Sequence, residues 1–347
     1  MTGTSCEPER SMPYGGPHDP GPAEAARRAR ALEDAAALPI AAPSGGEIRI
    51  GTASWTDPTM TAPGVFYPPD AETAEARLIY YARSFPLVEV DATYYALPVP
   101  ATARLWVRRT PPDFTFDVKA HALMTGQPSE TRRLPRQIRD ALPAELAAKP
   151  RLYASDLPPE LRDEIWRLFI AGIEPLQASG RLGSVLLQYP RWVVPSARDR
   201  DAIVEARERL AGLTCAVEFR NAAWLDERNA ERTLQFLADH GMPFVMVDEP
   251  QGLRSSMPPV VATTSPQLAI VRFHGRRAET WEATGIPTAE RYRYLYDRAE
   301  LGEWVPRIIE AATAAREMHV LMNNCFANYG ATNAREIAAL LQGVRLE

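Results

Sequence analysis

The sequence predicts an α/β protein built as one (β/α)8 TIM-like barrel over residues 47–347, and three observations predict it. Short β-branched or apolar runs end in polar residues. Most are followed by a stretch with helical periodicity, and eight such units share the roughly 300 residues that a closed barrel with insertions requires. Strand alternating with helix implies a parallel sheet with helices outside.

The first 46 residues stand apart. They are rich in Pro and Gly from Pro13 to Pro22, then in Ala and Arg, and turn-like at Pro43-Ser44-Gly45-Gly46. The early part offers little apolar surface to offset its ordering entropy, so residues 1–46 are expected to form a disordered N-terminal extension. Residues 23–37 could form a short helix, but nothing in the sequence says what it would pack on.

The strand runs are 48–55, 87–94, 114–120, 184–190, 215–220, 244–248, 268–275 and 319–324. Amphipathic segments lie at 72–84, 158–177, 197–210, 229–240, 300–317 and 333–342. Two spacings are irregular. An insertion of about 122–183 separates the third and fourth strands and is the expected place for a lid. Residues 249–266, between the sixth and seventh strands, have no helical period, so a loop is expected to replace one barrel helix.

Composition excludes several classes. A net charge of −5 supplies no basic stripe for nucleic acid or an anionic membrane. Cys6, Cys215 and Cys325 are widely spaced, which suggests a reducing compartment with no disulfide framework and no zinc motif. No run is long enough to span a bilayer, and Glu33 and Asp34 interrupt any signal-peptide core, so a cytoplasmic location is expected. Neither GxGxxG nor GxxxxGK[ST] occurs, and no nucleotide or other cofactor is expected.

In a parallel barrel the working residues sit where strands end. Glu218 and Arg220 share one face of their strand, Arg272 and His274 share one face of theirs, and Lys119 adds a third cation. Charges pointing into a barrel are costly unless paired or used, so the reading lies between a structural salt-bridge layer and a ligand site. His121 is undecided, while His240 and His319 read as structural. Trp55, Tyr94, Tyr95 and Trp224 could form a stacking platform or simply pack. Trp106, Trp166 and Trp304 read as core. A metal held by Glu89, Glu218, Asp248 and His274 is disfavoured, because Arg220, Arg272 and Lys119 would share the cavity.

The ordered pieces Gly51-Thr52-Ala53-Ser54-Trp55, Phe66-Tyr67-Pro68, Val88-Glu89-Val90-Asp91-Ala92-Thr93-Tyr94-Tyr95 and Leu97-Pro98-Val99-Pro100 resemble the YecE-like family, domain of unknown function seventy-two. So do WVRRTP from Trp106, FTFDVK from Phe114, Leu187-Gln188-Tyr189-Pro190, Glu218-Phe219-Arg220 with Trp224, Arg272-Phe273-His274-Gly275 and Asn323-Asn324. The resemblance implies a TIM-barrel-like fold with no assigned activity. This chain departs from the pattern at Asp91, where an amide is expected, and at Cys325-Phe326, where a more polar continuation is usual.

The expected function is an enzyme acting on a small polar, anionic substrate such as a phosphorylated or carboxylated compound. Arg220, Arg272 and Lys119 would hold the anion. Glu218 would be the general acid/base with His274 as its partner. Gln188, Asp248, Asn323, Asn324, Trp55 and Tyr94 would complete the binding site. The alternatives are a non-catalytic ligand-binding or nucleic-acid-associated protein, and a metal-dependent barrel hydrolase or isomerase.

Overall fold

The computed structural model describes residues 19–253 and 255–343. Eight parallel strands form the barrel: β1 (Glu47–Thr52), β2 (Leu87–Val90), β3 (Thr115–Lys119), β4 (Leu182–Tyr189), β5 (Cys215–Phe219), β6 (Val245–Asp248), β7 (Leu268–Phe273) and β8 (Glu317–Met322). Their order in the sheet is β5-β4-β3-β2-β1-β8-β7-β6, and a parallel bridge from Val217 to Phe244 joins its two edges. All eight sequence runs become strands; Thr52, Glu89, Lys119, Gln188, Glu218, Asp248 and Arg272 lie in the last two positions of theirs, and Asp91, Arg220, His274 and Asn323 start the loops that follow.

The covering helices are α2 (Ala74–Ser84), α3 (Pro100–Arg109), α4 (Pro159–Ala178), α5 (Ala197–Arg209), α6 (Ala230–Asp239), α7 (Arg298–Ala314) and α8 (Tyr329–Leu341), with α1 (Gly21–Ala29) preceding the barrel. Local chemistry sets several starts. Thr73 and Ser196 accept hydrogen bonds from the first turns of α2 and α5, and Asp297 and Glu300 form a capping box on α7. Helix α3 was missed by periodicity, although Pro100 in its first turn is the usual start signal. Among the described residues no helix lies between β6 and β7, and 249–253 and 255–266 run as a loop. Among the described residues no helix is long and apolar enough to cross a membrane.

The N-terminal expectation needs correction. Residues 1–18 lie outside the described residues, but from Asp19 onward the segment is docked, not free. Ala25 and Ala29 are buried against α8, and Thr332 donates to the Ala25 carbonyl. Arg28 grips Glu336 with two hydrogen bonds, 2.7 and 2.5 Å, and donates to the Tyr296 carbonyl. Asp19 accepts from Arg293 and from Tyr329. Counting apolar bulk misled the sequence reading. Alanines bury little area, but they let two helices approach closely while the arginine supplies specificity.

Side chains alternate in and out along each strand. On β3, Phe116 points outward to Trp55 and Trp106, while Asp117 points inward. At the barrel floor Asp117 accepts from Ser184 at 2.7 Å and from His319 at 2.8 Å. Gly183 belongs to this layer: a Cβ there would lie 2.7 Å from the Asp117 carboxylate and 2.8 Å from the His319 ring. Only glycine leaves room for the buried pair.

Candidate functional site

Above that floor the barrel holds a network of charges centred on Arg272. From β7 its guanidinium crosses the barrel to Glu89 on β2, with Nε–Oε2 at 2.8 Å and Nη2–Oε1 at 2.7 Å. The other side of the same group donates to Glu218 on β5, and Nη2 also reaches the Asn323 side-chain oxygen Oδ1 at 3.4 Å. Neither β2 nor β5 neighbours β7 in the sheet. The contacts therefore pass through the interior, and Arg272 is only 1% exposed.

A second guanidinium continues the network. Arg220 contacts Glu218 (2.6 Å) and Glu249 (3.0 Å), and lies 3.1 Å from His274 Nε2. Gln188 donates to Glu218 at 2.7 Å, and the Asn323 amide lies 2.8 Å from His274 Nδ1. Glu218, Arg220, Arg272, His274, Gln188 and Asn323 are thus brought together at one end of the barrel. Trp281 and Tyr292 roof them, each ring 5.9 Å from the His274 ring, with Trp281 also 5.2 Å from the Arg220 guanidinium. The covering segment is the loop after β7, not the insertion after β3. The insertion contributes Gln127, which ties Tyr94 to the Gln188 carbonyl at the rim.

Charge counting shows how this network titrates. Glu89, Glu218 and Glu249 face two guanidiniums, which leaves one buried negative charge in excess. Although burial opposes its charge, Arg220 and Arg272 hold the Glu218 carboxyl well below the usual range. The excess falls on the other two. Burial pushes Glu89 and Glu249 up to about 7, against the pull of their arginines. His274 is held well below its ordinary value by burial and by Arg220, so its ring is neutral. These environments do not suit the expected roles. A carboxylate held strongly ionised is a poor proton carrier near pH 7, and His274, held below its ordinary value, stays neutral there. The expectation of open anion-holding arginines also fails on geometry, because both guanidiniums already face carboxylates.

Lys119 differs from them. Its Nζ sits 4.7 Å from the centre of the Tyr94 ring and makes no hydrogen bond or salt bridge to a described residue. Burial and the nearby Arg272 lower its pKa to about 8, against the attraction of Glu89, Glu218 and Asp91. Asp91, at the top of β2, has no side-chain capping bond, and burial raises it to about 6.

Other expected site residues lie elsewhere. Asp248 accepts from Arg276 (2.7 Å), Tyr296 (2.7 Å) and Trp304 (2.6 Å), pinning the end of β6 to the loop and helix after β7. Asn324 turns outward and donates to the Tyr294 carbonyl and to Asn333 on α8. Trp55 packs edge-on against Trp106 in the outer layer, and Trp224 stacks on Phe219 in the core. His121 is buried, bonded to the loop that follows it, and pushed down to about 4 by burial. The carboxylate set considered for a metal does not assemble, since Asp248 points away. Among the described residues no group of three His, Cys, Asp or Glu side chains is placed to hold a metal ion.

Sequence reading passed over three contributors, Glu249, Trp281 and Tyr292, and weighed Glu89 only as a metal ligand. Glu89 was visible as a strand-end carboxylate, but its partner lies 183 positions away. Glu249 follows Asp248, and the doublet itself was the available signal. Trp281 and Tyr292 belong to a loop with no periodic pattern to place them.

The comparisons agree with this architecture. The family model described as "Protein of unknown function DUF72" matches residues 49–346. The UPF0759 protein YunF of Bacillus subtilis is 29% identical over 297 residues, covering 85% of this chain and 94% of that protein. A crystal structure of a DUF72 family protein from Thermotoga maritima MSB8 is 30% identical with a TM-score of 0.66, covering 85% of this chain and 99% of that one. Another, from Enterococcus faecalis V583, is 25% identical with a TM-score of 0.67, covering 85% and 95%. On this evidence the chain belongs to the DUF72 family, built on a TIM-like barrel.

Proposed function

We propose that the protein is an enzyme acting on a small polar substrate that carries an anionic or carbonyl oxygen, bound at the C-terminal mouth of the barrel against Lys119. The observation that carries this reading is the contrast between one uncommitted lysine and a set of fully engaged arginines. Arg220 and Arg272 have the rigid, planar donor pattern suited to fixing carboxylates, and here they fix Glu89, Glu218 and Glu249. That network is the frame. It sets the field in which Lys119 sits, and it leaves Lys119 as the group able to meet a ligand.

Charge supports an anionic ligand. With Glu89 and Glu249 near half-protonation at pH 7, the network carries little net negative charge, so an incoming anion meets the Lys119 ammonium without strong repulsion. Tyr94 and Tyr95 form one side of the opening, their rings 4.9 Å apart, and Trp281 and Tyr292 form another.

The test is thermal melting in phosphate, sulfate and chloride at equal ionic strength, for the native chain, Lys119→Met and Lys119→Arg. Phosphate is expected to raise the native melting temperature above chloride, Lys119→Met to lose that rise, and Lys119→Arg to retain part of it. Equal shifts in all three proteins would place anion binding elsewhere and overturn the reading.

A further inference from the structure

The basic residues of this chain are unevenly chosen. Of 39 lysines and arginines, two are lysines, Lys119 and Lys149. Lys149 lies on the surface, 48% exposed, paired with Asp156 at 2.9 Å. The other lysine is placed inside the barrel mouth. Wherever a fixed positive charge is needed in the interior, at 220 and at 272, the chain uses arginine. Arginine cannot shed its proton in a protein, whereas a buried lysine can and then presents a nucleophilic amine. A lysine at position 119 in so arginine-rich a chain indicates a role that needs the amine rather than the charge.

The surroundings favour that form. Lys119 ends β3 with its side chain inside the barrel, its Nζ free of hydrogen bonds to described residues and lying over the Tyr94 ring. Strong ion pairing would lock the ammonium, and none is made to a described residue. The charged groups acting on it are Asp91 and Glu89 from β2 and its end, Glu218 from β5 and Arg272 from β7. Burial and Arg272 outweigh the three carboxylates, so the amine titrates at about 8 and a useful fraction is neutral near pH 7.

We propose that Lys119 is a catalytic nucleophile that forms a Schiff base with an aldehyde or ketone substrate. This rests on the reading of the mouth as the substrate site. The neutral amine attacks the carbonyl carbon, forming the C–N bond and a carbinolamine. The carbinolamine hydroxyl leaves as water: the C–O bond breaks, one proton of that water comes from the amine and one from a carboxylic acid. The nitrogen keeps its second proton, so the product is a protonated imine and a carboxylate. Asp91 is placed to supply the acid, since its carboxyl makes no side-chain capping bond and Lys119 is the charge that acts on it most strongly. The carboxylate left behind then faces the new iminium charge, which stabilises it.

The scarcity of lysine makes the test clean. In Lys149→Arg, Lys119 is the lone ε-amine. That variant is incubated separately with glyoxylate, pyruvate and glyceraldehyde phosphate, reduced with borohydride, and mapped by peptide mass spectrometry, with the urea-unfolded chain as a control for reagent access. The inference expects an irreversible adduct on the Lys119 peptide with at least one probe. Its rate in the folded protein should exceed that in urea and pass through a maximum near pH 7, between the values of about 6 for Asp91 and about 8 for Lys119. Adding Lys119→Arg should abolish it in a chain that still melts cooperatively. Lys119 left unmodified by all three probes in the folded chain, or modified no faster than in urea, would overturn the inference. If phosphate still stabilises the native chain in a Lys119-dependent way, only the Schiff base fails; if neither effect is seen, the mouth reading fails with it.

Discussion

Removing Arg272 tests whether the guanidinium at the barrel centre is scaffold. In Arg272→Met the alkyl stem is largely preserved while the charge-assisted contacts to Glu89 and Glu218 are lost. The two carboxylates do not suffer equally. Glu218 retains Arg220 and Gln188, whereas the contacts of Glu89 are both to Arg272. Stripping one partner from a buried pair costs roughly 3–5 kcal/mol. Glu89 can limit the loss by taking a proton, since burial already pushes it up to about 7. Its pKa in the variant rises further, and this sets the sign of the pH dependence. A carboxyl whose folded pKa exceeds its unfolded value loses stability as pH rises towards the folded pKa. Native chain and variant share that slope up to about 7, and above it the variant alone keeps falling, by up to about 1.4 kcal/mol per pH unit. Urea melts near pH 6 and near pH 8 should therefore show a penalty that grows with pH, and adding Glu89→Gln should recover most of it. A variant as stable as the native chain at both pH values, with phosphate stabilisation lost, would refute the scaffold role and restore Arg272 as an open anion holder.

Two further outcomes follow from the barrel floor and the N-terminal helix. Although burial opposes its charge, Asp117 and Glu317 push His319 up to about 9. Its folded pKa is raised, so the stabilisation is complete below the ordinary histidine value of 6.5 and is lost as pH rises from there to about 9, a change of about 3 kcal/mol that His319→Gln should flatten. Arg28→Ala should cost about 2–3 kcal/mol, because hydrogen bonds to a buried carboxylate are lost at Glu336, which keeps its bond from Asn333. An unchanged melting temperature would mean that α1 is not docked in solution.

Much of the architecture was legible because barrel strands obey local rules. Each is a short apolar run ending in a polar residue, and the absent helix after β6 showed as absent periodicity in 249–266. Alternation also placed Glu218 with Arg220, and Arg272 beside His274, on shared faces. What periodicity cannot supply is the partner across the barrel. The reach of Arg272 to Glu89 depends on closure of the whole sheet, so the sequence suggested more cations than carboxylates when the network holds the reverse. The same limit explains Asp248 and Asn324. A polar residue at a strand end can point to the axis or to the adjoining helices, and Trp304, Tyr296 and Asn333 draw these two outward. Helix α1 was hidden for another reason: alanine-rich helices gain stability from close packing that only the partner surface reveals.

The most direct test of the account is the titration of Lys119 itself. Labelling with [ε-13C]lysine gives a spectrum with two side-chain signals, and Lys149→Arg assigns the remaining one to Lys119. The account predicts that this signal titrates at about 8 and that phosphate shifts its midpoint upward by favouring the ammonium. A midpoint at the ordinary lysine value of 10.5, unmoved by phosphate, would show an exposed and idle ammonium and contradict the central claim.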